Sequence, residues 1–284
     1  MNKNNSRRNF VKKSAALAAS VPTILAPTGV FAAKPETKQN DDGKMDVIRF
    51  AVASDGHFGE KGTAYKMYYR NIVAWLNAEA ENEGLDFCVF NGDIIHDDPK
   101  LLKEANAYFK ELKIPYYATQ GNHDKVSEDL WKEVFNIPFN YSFEKGNSGF
   151  ILCTTSNEKG EYLCADADFV KEKLELYKSK KSVFVFLHIS HKKWVDNGID
   201  CKEITDMLES YENVACIFHG HDHDHHEAMY SGGKTYLFDG HFGGSWGQEY
   251  KGYRIVEVRG GTEVYTYQCN PLARGIQNNN KVNL

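Results

Sequence analysis

Residue types that bind metal ions follow five short apolar runs of the sequence. Each run is rich in β-branched and aromatic residues, which is typical of buried strands. The seven candidate ligands at the run ends are Asp55, His57, Asp93, Asn122, His188, His221 and His223. Seven nitrogen and oxygen donors are too many for one tetrahedral ion, but they suit two neighbouring ions that share a bridging carboxylate. The pattern therefore indicates a two-metal site, provided that the fold brings the five run ends together.

The elements that would position these residues alternate between strands and helices. The strand-like runs span 47–54, 86–92, 114–121, 182–188 and 213–220, and apolar residues at helical spacing predict helices that include 65–76, 101–112, 128–135, 167–177 and 204–211. Such alternation indicates parallel strands, whose carboxyl ends share one edge of a sheet. Hairpin patterns at 140–155, 230–238 and 254–268 add antiparallel strands. We therefore expect an α/β fold in which two mixed β-sheets pack as a sandwich flanked by helices.

The order of the motifs resembles that of the calcineurin-like metallophosphoesterase superfamily. The chain carries D-x-H at 55–57, G-D at 92–93, G-N-H-D at 121–124, an isolated His188 and G-H-x-H at 220–223. This resemblance implies a four-layer αββα architecture. It also implies one metal held by Asp55, His57 and His223, a second held by Asn122, His188 and His221, and Asp93 as the bridge.

The same resemblance implies hydrolysis of phosphate esters. In this family two cations bind the phosphate oxygens and lower the pKa of a bridging water, which attacks phosphorus. His123 is implied to assist the leaving oxygen, oriented by Asp124. Mixed aspartate, asparagine and histidine ligands favour Fe, Mn, Zn or Ni over calcium and leave the choice among them open. The resemblance leans towards small phosphodiesters; a phosphomonoesterase and a non-catalytic metal-binding or ligand-binding protein are the alternatives.

Four further side chains are candidate substrate contacts: His96, His191, His241 and Trp246. His96 lies where purple acid phosphatases, a branch of the same superfamily, place an iron-binding tyrosine, so the chain departs from that branch. The alternative role for His96 is to cap the helix that follows. For His241 and Trp246 the alternative is a packed glycine-rich turn.

Three more histidines lie in the histidine-rich stretch 219–226. His219 precedes the G-H-x-H motif by one residue, and we expect it to pack beneath the site. His225 and His226 are expected to be solvated, with a weak accessory metal site as the alternative.

The first 33 residues have the layout of an export signal. A basic head that contains Ser6-Arg7-Arg8-Asn9-Phe10 closely resembles the twin-arginine consensus, and an alanine-rich stretch and small residues follow it. The resemblance implies export by the twin-arginine machinery to a bacterial periplasm. We expect a signal peptide over 1–33, a polar linker over 34–45, the metallophosphoesterase domain over 46–270 and a C-terminal tail over 271–284, whose last residues, NNNKVNL, are expected to be frayed.

Charge and composition narrow the classes of partner. The whole chain has a net charge of −5, and loss of the five cations of the expected signal leaves −10. An acidic domain is a poor electrostatic match for long nucleic acid or an anionic membrane. No run of eighteen apolar residues is present, so no membrane span is expected. The oligomeric state is left open.

The six cysteines fall into two groups. Cys88, Cys153 and Cys216 lie within apolar runs and are expected to behave as small core residues. The other three, Cys164, Cys201 and Cys269, lie in more polar surroundings, and whether two of them form a disulfide is left open.

Overall fold

A computed structural model describes residues 46–273 and 275–284 of the chain. The strands are β1 (Val47–Ala53), β2 (Phe87–Asn91), β3 (Tyr116–Thr119), β4 (Tyr141–Lys145), β5 (Ser148–Cys153), β6 (Ser182–Leu187), β7 (Val214–His219), β8 (Ala228–Ser231), β9 (Lys234–Phe238), β10 (Tyr253–Arg259), β11 (Glu263–Asn270) and β12 (Gly275–Asn283). The helices are α1 (Tyr65–Glu83), α2 (Leu102–Phe109), α3 (Glu128–Phe135), α4 (Ala167–Leu176) and α5 (Lys202–Ser210), and a 3₁₀ turn (Pro99–Leu101) precedes α2. The expected signal peptide and linker lie outside the described residues. Among the helices described, none is both long and apolar enough to cross a membrane.

The strands form two six-stranded mixed sheets. The first has the order β12-β11-β10-β1-β2-β3, with β1, β2 and β3 parallel to one another. The second has the order β4-β5-β6-β7-β9-β8, in which β5, β6, β7 and β9 are parallel. The three hairpins form as β4–β5, β8–β9 and β10–β11. The expected fold class is confirmed.

Aromatic side chains fill the space between the two sheets. The ring of Phe50 on β1 stacks on Phe87 at 5.0 Å and meets Phe150 and Phe184 of the second sheet edge-on, both at 5.5 Å. The neighbouring Ala51 points the other way, into the core beneath the helices. Both faces of β1 are therefore buried, which explains why it reads as an unbroken apolar run.

Helices cover the outer surface of each sheet. Helix α1 buries Tyr69, Ile72 and Leu76 against the first sheet, at the helical spacing seen in the sequence. Helices α4 and α5 cover the second sheet. Side chains cap two helix starts, since Ser127 accepts from the amide of Leu130 and Asp166 accepts from that of Phe169. The result is the four-layer order helix, sheet, sheet, helix.

The C-terminal segment differs from its prediction. Residues 275–283 are not frayed but form β12, which pairs antiparallel with β11 from Glu263↔Asn283 to Asn270↔Gly275. As an edge strand, β12 is held by main-chain hydrogen bonds to β11 on one side. Its side chains are mostly polar, so the sequence has no apolar pattern that predicts a strand there. The Lys281 ammonium also lies over the Tyr265 ring, 4.9 Å from its centroid.

One disulfide joins two of the three cysteines in polar surroundings. Cys164, just before α4, is bonded to Cys201, just before α5, across 37 residues of sequence. Cys88, Cys153 and Cys216 are buried, as expected of core residues.

Candidate metal centre

Backbone hydrogen bonds lock the loops after β1, β2 and β7 against one another. The amide of Asp55 donates to the carbonyl of Gly92 at 3.1 Å, and the amide of His57 donates to that of Asp93 at 3.0 Å. The amide of His221 donates to the carboxylate of Asp55 at 3.0 Å. These bonds hold the ends of strands from both sheets in one place.

Four ligand positions adopt a left-handed backbone conformation. Asp55, His57, Asp93 and His221 have φ values of 59°, 45°, 50° and 66°. Non-glycine residues rarely occupy this region, and such strain is concentrated at functional sites. Gly220 explains part of the close packing, because a Cβ there would collide with the Asp55 carboxylate.

The first cluster consists of Asp55, His57 and His223, all buried. The Nε2 atoms of His57 and His223 face each other at 2.9 Å, and His223 Nε2 lies 3.1 Å from Asp55 Oδ1. Two imidazole nitrogens and a carboxylate oxygen converging on one point form a donor set that suits a transition metal.

The second cluster consists of Asp93, His188 and His221. Oδ2 of Asp93 lies 3.2 Å from His188 Nε2 and 3.7 Å from His57 Nε2, so this carboxylate faces both clusters. The loop that carries Asn122 packs against this cluster, because a Cβ on Gly121 would collide with Asp93 and the amide of His123 donates to Asp93 Oδ1 at 2.8 Å.

Two buried atoms of these loops lack a hydrogen bond within the described residues. They are Asn122 Oδ1 and His221 Nε2. Buried polar atoms are normally satisfied, so two unpaired atoms that can bind a metal fit a site built around an ion. The residues present therefore fit two metal ions, with Asp93 between them.

Hydrogen bonds of Nδ1 fix the tautomers of two ligand histidines, His188 and His223. Nδ1 of His188 donates to the carbonyl of Asn91 at 2.7 Å, and Nδ1 of His223 donates to that of Trp246 at 3.2 Å. Each ring therefore turns Nε2 towards its cluster.

Electrostatics keep most of the ligands in metal-binding form. Burial would raise the pKa of Asp55, but His223 and His188 lower it to about 2. Burial lowers the pKa of His57 to about 3 and that of His221 to about 4. Ionised carboxylates and neutral imidazoles are the forms that bind metal. Burial would also lower the pKa of His188, but Asp93 and Asp55 raise it to about 10.

His123 lies at the exposed side of the first cluster. Its ring centroid is 5.0 Å from that of His57, and its side chain is one-third exposed (33%). Nδ1 lies 3.0 Å from Asp97 Oδ1, which also pairs with Lys125 at 2.7 Å. The expected orientation by Asp124 is therefore wrong.

Asp124 serves the backbone of the loop instead. Its buried carboxylate accepts from the amides of Gly121 at 2.7 Å and Ile95 at 2.9 Å. Asp97 was missed because no motif marks it: it follows His96 in the loop after β2, with φ 62°. The only sequence signal is that an acidic residue lies close behind Asp93.

His96 lies beside the first cluster, and its role as a substrate contact stays a prediction. Its Nδ1 lies 3.0 Å from Nδ1 of His57, and its ring stacks on His123 at 4.8 Å. It does not cap the following turn, because the Asp98 side chain accepts from the amide of Lys100 there.

Trp246 and His241 surround His223. Trp246 is 46% exposed and stacks flat on the His223 ring at 4.1 Å. His241 is buried, 4.8 Å from the His223 ring, and its Nε2 donates to the carbonyl of Gln248 at 2.8 Å. Trp246 therefore covers His223 with part of its ring open to solvent, whereas His241 supports the turn that carries it.

His191 is not brought to the crevice. Its Nδ1 donates to the carbonyl of Ile189 at 3.0 Å, and its Nε2 accepts from the amide of Ala165 at 2.8 Å. Both nitrogens of this buried ring are used by the backbone, so none is left for a substrate.

The remaining histidines of 219–226 have structural partners. His219 is buried, donates from Nδ1 to the carbonyl of Leu187 at 2.8 Å and packs on Phe238, as expected. His225 and His226 are half-buried rather than solvated. Nδ1 of His225 lies 2.7 Å from Glu227 Oε1, and Nδ1 of His226 lies 2.5 Å from the Tyr250 hydroxyl. Neither joins a metal-binding group within residues 46–273 and 275–284.

Comparison with known proteins decides the family. The profile of the calcineurin-like phosphoesterase family matches residues 48–225, more than half of the chain. The chain belongs to this family. The superfamily prediction is confirmed and, at the level of the family, so is the prediction of a metal-dependent phosphoesterase.

Two curated proteins are similar to this member of the family in sequence. The probable glycerophosphodiester phosphodiesterase GpdQ of Arcobacter nitrofigilis is 27% identical over 60% of the chain and 70% of its own length. The DNA double-strand break repair protein Mre11 of Archaeoglobus fulgidus is 30% identical over 29% of the chain. That match spans only 21% of the archaeal protein.

Two solved structures share the fold. A dimetal phosphatase from Danio rerio has a TM-score of 0.67 at 11% identity, over 83% of this chain and 98% of that one. A purple acid phosphatase from yellow lupin seeds has a TM-score of 0.64 at 13% identity, over 85% of this chain and 54% of that one. At such identities the similarity concerns the architecture alone.

Proposed function

We propose that the protein is an exported two-metal hydrolase of small phosphate esters. The observation that carries the proposal is the convergence of the two clusters on Asp93, with the buried atoms Asn122 Oδ1 and His221 Nε2 left without a hydrogen bond within the described residues. When bound, two ions at these ligands would neutralise phosphate charge and supply an activated water.

His123 is the residue of this chain best placed to assist the leaving group. Its backbone amide is anchored on Asp93 and its Nδ1 is held by Asp97, which leaves Nε2 as the free nitrogen of the ring. A ring that is one-third exposed at the rim of a buried cluster can reach an ester oxygen from the solvent side. Histidine is suited to this proton transfer near neutral pH.

Small phosphodiesters are the substrate class that we favour. The support is the similarity to a probable glycerophosphodiester phosphodiesterase over 60% of the chain. A phosphomonoesterase is the second candidate, because an exported enzyme with the same centre would also serve phosphate scavenging. A nuclease is disfavoured by the net charge of −10 expected after signal removal.

Export to the periplasm rests on two observations. The N-terminal sequence resembles a twin-arginine signal. The chain also has the Cys164–Cys201 disulfide, and disulfides form and persist mainly in oxidising compartments such as the periplasm. Replacing Arg7 and Arg8 together by lysine should leave the protein in the cytoplasm of a bacterial host. Unchanged recovery in the periplasmic fraction would contradict this route.

Hydrolysis of nitrophenyl esters tests the activity. Protein loaded in turn with Fe, Mn, Zn or Ni should hydrolyse bis(p-nitrophenyl) phosphate faster than p-nitrophenyl phosphate. Comparable slow turnover of both would leave the diester preference without support. No turnover with any metal would favour the non-catalytic alternative. The metal-holding version of that alternative fails if replacing His225 and His226 leaves the tightly bound metal unchanged.

A further inference from the structure

The loop between β5 and α4 carries an exposed aromatic side chain to the second cluster. The ring of Tyr162 meets the ring of His221 edge-on, with centroids 5.0 Å apart and planes at 88°. Tyr162 is nevertheless 40% exposed. The aromatic ring of Tyr162 thus packs against a residue of the second cluster and is still open to solvent. It is placed to contact a ligand that binds at this cluster.

This loop is fixed rather than free. The amide of Leu163 donates to the carbonyl of Thr155 at 2.8 Å, closing its base. At its tip, Gly160 has φ 80° and packs so closely on the Asn122 carbonyl that a Cβ would collide with it. The next residue after Leu163 is Cys164, whose disulfide ties the loop to the start of α5.

The backbone on the far side of the disulfide is held as well. The amide of Ala165 donates to His191 Nε2 at 2.8 Å, which gives that buried histidine a role in positioning the loop. Because the loop is ordered by these contacts, Tyr162 can meet a ligand without a further loss of backbone entropy.

Tyr162 and His123 contact different halves of the metal centre. The ring contacts of His123 are with His57 and His96, on the side of the first cluster. The ring contact of Tyr162 is with His221, in the second cluster. A phosphodiester carries two organic groups, and the one that departs must lie near His123 if that residue assists it.

We propose that Tyr162 contacts the organic group that stays on phosphorus, and that it selects diesters in which this group is planar or apolar. The inference rests on the proposed diester hydrolysis and adds a residue that sets its specificity. Stacking and edge contacts of an aromatic ring supply the affinity. A monoester has no second organic group, so Tyr162 gains nothing from it.

Three substrates with the same leaving group test this directly. They are bis(p-nitrophenyl) phosphate, ethyl p-nitrophenyl phosphate and p-nitrophenyl phosphate, in which the retained group is aromatic, small or absent. Tyr162→Ala should lower kcat/KM about tenfold for the first, equivalent to about 1.4 kcal/mol, and less for the second. The third should be unchanged, and Tyr162→Phe should retain wild-type values.

A matched control and a second variant guard against indirect effects. Tyr230→Ala removes a tyrosine that is 66% exposed on β8, and all three rates should stay at wild-type values. The double variant Cys164→Ser, Cys201→Ser releases the loop and should reduce the preference for the aromatic diester over the monoester. The metal content of all the variants, measured by plasma mass spectrometry, should match the wild type.

The outcomes separate this inference from the function on which it rests. An equal loss on all three substrates, or a loss of metal, would mean that Tyr162 acts through His221, which overturns the inference. No loss on the aromatic diester overturns it as well, while diester hydrolysis stands. A wild-type protein that hydrolyses none of the three would overturn the proposed function itself.

Discussion

At the scale of single residues, the centre depends on how each imidazole is held. His188 and His223 each donate a hydrogen bond from Nδ1 to a backbone carbonyl, so Nε2 is the nitrogen that can bind a metal. His123 differs, because Nδ1 is held by the carboxylate of Asp97 and the ring is partly exposed. In the proposed function, similar histidines therefore serve two tasks, binding an ion and transferring a proton.

Replacing His123 by alanine should separate these tasks. The metal content should remain unchanged, because the His123 ring belongs to neither of the two clusters that contain Asp55 and Asp93. The rate should fall by about 10²–10⁴-fold on esters with a poor alkoxide leaving group, since those need the proton most. The loss should be smaller on p-nitrophenyl esters, whose leaving group is stable without a proton. An equal loss across a series of leaving groups would contradict the role of His123 as an acid.

The two neighbouring aspartates should respond differently to truncation. Asp97→Ala should lower kcat about tenfold with only a small fall in the melting temperature, because it releases the His123 ring but no buried amide. Asp124→Ala should instead lower the melting temperature, since it leaves the amides of Gly121 and Ile95 unpaired in the interior. Unsatisfied buried donors cost about 1–3 kcal/mol each. Thermal melts and kcat are measured on both variants. The assignment is contradicted if Asp97→Ala causes the larger fall in melting temperature and Asp124→Ala affects only kcat.

At the scale of elements, strand ends were predictable and loop contacts were not. The apolar runs mark five strands because both faces of each sheet are covered, and the metal ligands follow directly after those runs. Asp97 and Tyr162 could not be placed, since their positions depend on loop conformation and on contacts between distant segments. β12 was missed for a different reason, since its polar side chains carry no periodic apolar signal.

The buried His191, which holds the loop before α4, should make the protein sensitive to acid. Burial lowers the pKa of His191 to about 4, below the usual value of 6.5. Its contribution to the free energy of unfolding is therefore complete above pH 6.5 and is lost as the pH falls towards 4. The loss is about 1.4 kcal/mol for each pH unit in this window.

Urea unfolding at pH 7.0 and pH 4.5 checks the acid sensitivity, with a chelator present so that metal release does not contribute. His191→Gln cannot take up a proton, so its stability should fall less than that of the wild type between the two pH values. Parallel losses in wild type and variant would show that His191 does not carry this sensitivity.

At the scale of the whole molecule, the metal centre joins the two halves of the sandwich. Asp55 and Asp93 follow strands of the first sheet, whereas His188, His221 and His223 follow strands of the second. The seven candidate ligands could be predicted as a group because each follows the carboxyl end of a parallel strand, although those strands belong to two stacked sheets. An ion bound between the sheets should therefore stabilise the entire fold rather than one loop.

Metal binding should raise the melting temperature of the whole domain in a single transition. At a free metal concentration 100 times Kd, linkage contributes about 2.7 kcal/mol for each site. In a protein of this size each kcal/mol corresponds to roughly 2–4 °C. Asp93→Asn should abolish most of this increase together with activity, because the carboxylate that faces both clusters loses its charge. Scanning calorimetry of chelated and metal-loaded protein provides the measurement, and an increase that persists in Asp93→Asn would show that the ions bind elsewhere.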